Sequence, residues 1–93
     1  MMPLPTLETY RAERLQEGFD EVLERVWAPN AVQDTHIHSF SVRALVVAGH
    51  MWLTVGQETQ ELQPGDEFTL EKGTPHAELY GPEGATYWAA RKN

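Results

Sequence analysis

The chain contains no cysteine, which excludes a disulfide framework, a thiolate metal site and a cysteine nucleophile. Basic residues are scarce: 7 Lys and Arg stand against 14 Asp and Glu, for a formal net charge of −7. Phosphate binding wants a basic face, so nucleic acid is not expected as a direct partner. The cations do not cluster either, Arg91-Lys92 being the one adjacent pair. No apolar run reaches the roughly 18 residues of a membrane span, so no membrane association is expected. The opening MMPLPTLETY has neither a basic region nor an apolar stretch behind it. A secretory leader is therefore not expected, and a cytoplasmic protein is the default.

What remains suits one small domain. The 93 residues are 41% hydrophobic and include three tryptophans, enough for a compact core. Residues 1–5, with two prolines, read as an arm. The next stretch, TLETYRAERLQE (6–17), is rich in helix formers, with Leu7, Tyr10 and Leu15 close to one face. Thr6 is the expected N-cap and Gly18 the expected stop. FDEVLERVW (19–27) is ambiguous, because Phe19, Val22, Leu23, Val26 and Trp27 follow a helical period. From Ala31 onward the chain reads as β. VRALVV (42–47) is a β-branched run expected to end at Ala48-Gly49, and 50–55 alternates with Met51, Leu53 and Val55 on one face. Short strands are expected at 59–62, 68–70, 76–80 and 86–90, separated by turns at Gly56-Gln57, Pro64-Gly65-Asp66, 72–75 and 81–84. Such a pattern indicates an all-β sandwich or barrel.

The residues that invite chemistry are histidines. THIHSF (35–40) places His36 and His38 one residue apart. In a strand, residues i and i+2 face one side with Cα atoms roughly 6.5–7 Å apart, so both imidazoles can lean onto one ion at about 2.0–2.1 Å from each nitrogen. Alone, such a pair is more commonly two solvent-facing side chains. A third ligand must come from elsewhere, and His76, after a Gly-Thr-Pro turn, is the candidate. His50 has the opposite parity to Met51, Leu53 and Val55 and is expected to look outward.

Two longer stretches carry a family resemblance. HIHSFSVRALVVAG (36–49) resembles the first motif of the cupins, HxH(x)3–4E(x)6G, through His36, His38 and Gly49. GDEFTLEKGTPHAELY (65–80) resembles the second, G(x)5PxG(x)2H(x)3N, through Gly65, Gly73 and His76. With the Pro29-Asn30 approach, the resemblance covers roughly residues 20–90. It implies an all-β, double-stranded β-helix (jelly-roll) cupin barrel with a short N-terminal α-helix. The implied organisation is an arm and helix over 1–18 and the barrel over 19–93. It also implies a strand over Glu21–Trp27, against the helical period there.

The departures from the pattern are as informative. The usual glutamate ligand is absent, its position falling on Val42 or Arg43, and the proline and asparagine of the second motif are replaced by Glu71 and Tyr80. The resemblance thus implies a three-histidine site for a divalent transition metal, Fe, Mn, Ni or Zn, held by His36, His38 and His76. Val42 fits the glutamate's parity better, which leaves Arg43 outside. An inward guanidinium at Arg43 would instead favour an anionic ligand. Glu78, two residues after His76, has the parity to enter the cavity as a fourth ligand or general base. Asp34, two before His36, has a weaker claim. Phe40 and Tyr80 are expected near the pocket mouth, and Trp27, Trp52, Tyr87 and Trp88 in the core or an interface. Trp52 or Trp88 on an outer face would suit the homodimer that small cupins commonly form. The implied function is a dioxygenase or isomerase acting on a small organic molecule; the alternative is a non-catalytic, small-molecule-binding sensor with weak metal binding or none. No helix-turn-helix segment is evident, so any regulatory role would be indirect.

Overall fold

The structure, a computed structural model, describes residues 3–93. Part of the arm expected over 1–5 lies outside these residues; Pro3 to Pro5 carry no regular structure. Helix α1 spans Leu7–Gln16. Thr6 caps it as expected, its hydroxyl accepting the Thr9 N–H at 3.1 Å, and Gly18 leaves it at φ 104°. The buried face differs from expectation. Tyr10 and Arg14 are buried, whereas Leu15 is 45% exposed. Positions 7, 10 and 14 align along one face of a helix, and 15 falls beside them. The Arg14 guanidinium lies 4.8 Å over the Tyr10 ring and pairs with Glu17 at 2.9 Å, which makes its burial tolerable.

Six strands follow: β1 (Glu21–Trp27), β2 (Val32–His36), β3 (Ser41–Val55), β4 (Glu58–Leu62), β5 (Glu67–Leu70) and β6 (His76–Lys92). All pair antiparallel in the order β1-β6-β3-β4, with β2 also on β6 and β5 also on β3. Two long strands, β3 and β6, are therefore the spine of the expected jelly-roll barrel. β1 occupies the residues expected of it. Its helical period does not mark one buried face: Val22 packs under α1 with Tyr10, Leu45, Trp88 and Ala90, Trp27 packs on the barrel core from the other side, and Val26 is 72% exposed.

The expected end of a run at Ala48-Gly49 and the expected turn at 81–84 both prove to be bends inside continuous strands. The β3–β6 register shifts between Val46 and Ala48 and again between Gly49 and Met51. Gly49 pairs with Ala85 and Met51 with Tyr80, so His50 alone opposes residues 81–84. Inward parity changes across this corner. Val42, Ala44 and Val46 share the main core with Met51 and Leu53, and Tyr80 shares it with Ala85, Tyr87 and Ala89. Glycine is required there for a steric reason. At Gly49 (φ 77°) a Cβ would stand 2.1 Å from the Gly84 carbonyl oxygen, and at Gly84 (φ 71°) one would stand 2.2 Å from that of Trp27. Bends in sheets commonly use such positions.

Trp88 is not the free outer surface that a dimer contact would want. It is 8% exposed, covered by α1, with the Tyr10 ring 5.7 Å away.

The corner gives a stability test. Gly49→Ala and Gly84→Ala should each lose more than about 2 kcal/mol in urea unfolding, because backbone must move. Gly56→Ala, which meets nothing within 4 Å at φ 62°, should lose only about 1–2 kcal/mol, the cost of the left-handed conformation.

Candidate metal centre

His36 closes β2 directly opposite His76, which opens β6. His38 lies just beyond β2, in the irregular stretch before β3 rather than on a shared strand. It is held by its backbone: its carbonyl accepts the Gly73 N–H at 2.9 Å. Gly73, at φ 80°, belongs to the turn that leads into His76, so this bond ties the two histidine-bearing segments together. The ligand atoms of His36, His38 and His76 all lie within 4.8 Å of one another. The ring centroids are 4.8, 4.3 and 5.0 Å apart. The expected trio is thus assembled in one place.

Tautomers follow from the hydrogen bonds. His36 Nδ1 lies 2.7 Å from the Asp34 carbonyl and His76 Nδ1 2.9 Å from the Thr74 carbonyl. A carbonyl only accepts, so each Nδ1 carries a proton and donates. In the neutral ring that leaves the lone pair on Nε2, the arrangement usual for a metal-binding imidazole. Asp34 therefore serves through its backbone; its side chain is exposed. Burial holds His38 below the usual 6.5, with His76 and His36 adding to the shift, which favours its neutral form. Its ring stacks on Phe40 at 4.7 Å.

Glu78 enters the same space and is 5% exposed. One carboxylate oxygen, Oε1, accepts hydrogen bonds from Tyr80 at 2.6 Å and Tyr87 at 3.1 Å. The other, Oε2, faces His36 Nε2 at 3.8 Å and His76 Nε2 at 3.9 Å. Burial pushes the Tyr87 phenol up to about 12 and Tyr80 further still, so both remain donors near neutral pH. The donor set suits a divalent transition ion: three imidazoles and a carboxylate, with no soft ligand. Two donors bound at about 2.1 Å stand at most about 4.2 Å apart, so side-chain rotation has to close the trio further.

The wall positions resolve as parity expected. Val42 lines the cavity, and Arg43 points out, pairing with Glu17 at 2.9 Å and Glu67 at 3.5 Å. His50 also faces outward, 3.0 Å from Glu61 and beside Trp52. Tyr80 corrects the expectation of a mouth residue. It is 1% exposed and stacked on Trp27 at 5.0 Å, and its hydroxyl is spent on Glu78. The cavity measures about 140 Å³, below the roughly 300–1,000 Å³ of drug-sized pockets. Three polar lining residues escaped the sequence reading: Arg25, Gln33 and Arg91. The available signal was parity, since Arg25 shares a strand face with Trp27 and Arg91 with Tyr87 and Ala89.

Comparison with known proteins agrees on the fold. The sequence model of the cupin domain family matches residues 24–79. An RmlC-like cupin from Shewanella frigidimarina is 21% identical, with a TM-score of 0.69; 76% of this chain and 63% of that one are covered. DMSP lyase DddQ from Ruegeria pomeroyi is 18% identical with a TM-score of 0.73, covering 78% of this chain and 38% of that one. Oxalate decarboxylase from Bacillus subtilis is 21% identical with a TM-score of 0.70, covering 77% and 20%. At these identities the likeness is one of fold, and the chain spans only part of each of these structures. No curated protein matches. Among the described residues no helix is long and apolar enough to cross a membrane.

The His38 shift makes a pH prediction. A histidine whose folded pKa lies below its unfolded value binds fewer protons when folded, so stability falls as pH drops through about 6.5. The fall levels off below the folded pKa. NMR titration of the metal-free protein should place His38 below 6.5, and His38→Asn should flatten this part of the stability–pH curve.

Proposed function

The chain belongs to the cupin domain family, and from that premise we propose that it is a small metal-dependent enzyme acting on a small organic molecule. His36, His38 and His76 would hold one divalent transition metal, Fe, Mn, Ni or Zn. The bound ion would supply Lewis-acid polarisation of a substrate oxygen. The observation that carries the reading is the divided role of Glu78. Two tyrosines fix one carboxylate oxygen and leave the other beside the histidine nitrogens. A carboxylate so placed acts either as a fourth ligand or as the group that moves a proton. Of the two expected reaction types, this arrangement favours proton transfer, as in an isomerase, over dioxygenation. General bases are recognised by this kind of positioned reach. Trp27, Phe40, Val42, Phe68 and Leu70 give the cavity apolar walls beside these polar groups. That fold neighbours include proteins named as a lyase and a decarboxylase supports an enzymatic reading.

The test begins with elemental analysis of untagged protein. About one equivalent of metal per chain is expected, and His76→Ala should lose it while remaining folded. A metal-free wild type with an intact fold would favour the non-catalytic sensor instead. Glu78→Gln should weaken metal affinity by the roughly 10–100-fold that loss of a supporting group costs, or abolish turnover with metal retained. Unchanged metal affinity and unchanged chemistry together would remove Glu78 from the site. Metal-dependent oxygen uptake by the wild type would restore the dioxygenase.

A further inference from the structure

The cavity is lined by two arginines that the histidine site does not use. Arg91 is partly neutralised, 3.3 Å from Glu21, and its guanidinium lies 4.4 Å over the Phe40 ring. Arg25 differs. Among the described residues, the arginine ion pairs are formed by Arg14, Arg43 and Arg91, and none by Arg25. Its guanidinium instead lies over the Trp27 ring, 5.2 Å from the centroid. The chain has 14 carboxylates for 7 cations, so a partly buried arginine without a carboxylate is the exception here. A guanidinium beside an apolar wall is costly to leave uncompensated, and it presents a planar fork matched to a carboxylate.

We propose that the molecule taken up is a small carboxylate, held at its anionic end by the Arg25 fork and presenting its other end to the histidines and Glu78. This rests on the cavity described above and names its substrate class. A carboxylate held by Arg25 would leave the negative Glu78 for the reacting end. At about 140 Å³ the cavity admits a molecule of few heavy atoms.

The experiment compares acetate with acetamide, which match in size and differ in charge. Binding is read from the Trp27 indole resonance, with metal content measured on the same samples before and after chelation. Wild type should prefer acetate by about tenfold or more, the range of a charge-assisted hydrogen bond. Arg25→Gln should lose that preference, with its metal content unchanged, and Arg25→Lys should retain part of it. Equal binding of the two probes, or a preference that survives Arg25→Gln, overturns the proposal. Should Arg25→Gln fail to fold, Arg25→Lys decides, a wholly unchanged preference counting against the guanidinium fork. A metal-free wild type that still prefers acetate through Arg25 would sink the metal reading and leave the anion subsite standing. A metal-loaded protein without the preference would sink the subsite alone.

Discussion

At one corner of the barrel three stretches of backbone lie too close for any side chain. The carbonyl of Trp27 touches the space above Gly84, and the carbonyl of Gly84 touches the space above Gly49. The two long strands bend there without breaking, and each exchanges its inward face for its outward one. Everything nearer the cavity follows from that exchange. Without it, a strand that buries Tyr87 and Ala89 could not also point His76, Glu78 and Tyr80 inward. Contact between the strands at this point thus converts two ordinary alternating patterns into a closed wall.

On that wall, polar groups are kept in order by their neighbours rather than by isolation. Backbone carbonyls at Asp34 and Thr74 set the tautomers of His36 and His76. Two phenols, kept protonated by burial, occupy one side of the Glu78 carboxylate. A buried carboxylate is costly unless its lone pairs are met, and here half of its hydrogen-bonding capacity is met by the protein. The other half is turned toward the histidines. The same frugality applies on the outer face, where Tyr10 donates to the Arg43 carbonyl at 3.2 Å while packing against Trp88.

Much of this was legible in the sequence because it depends on short-range rules. Spacing within the two motifs located the trio, and strand parity placed Val42 inside, Arg43 outside, His50 outside and Glu78 within. What was missed depends on long-range contact. The Pro/Gly stretch at 81–84 looks like a turn locally, and it is the pairing of β3 with residues on both sides of it that keeps it within one long strand. Leu15 looked buried because it is apolar, whereas the barrel meets the helix along the line of Tyr10 and Arg14. Arg25 and Arg91 were not expected in the cavity because charged residues on a strand are ordinarily solvated. Nothing local marks the two that line a cavity. Trp88, expected in the core or an interface, is in the core because the chain's own helix covers that outer face.

Val42 and Glu78 line the same cavity from different strands. Inward positions on separate strands face one space, so residues far apart in the chain act there as neighbours. The inventory of groups in such a cavity is a separate quantity from the order in which the chain delivers them, and it is the one to compare among barrels of this kind.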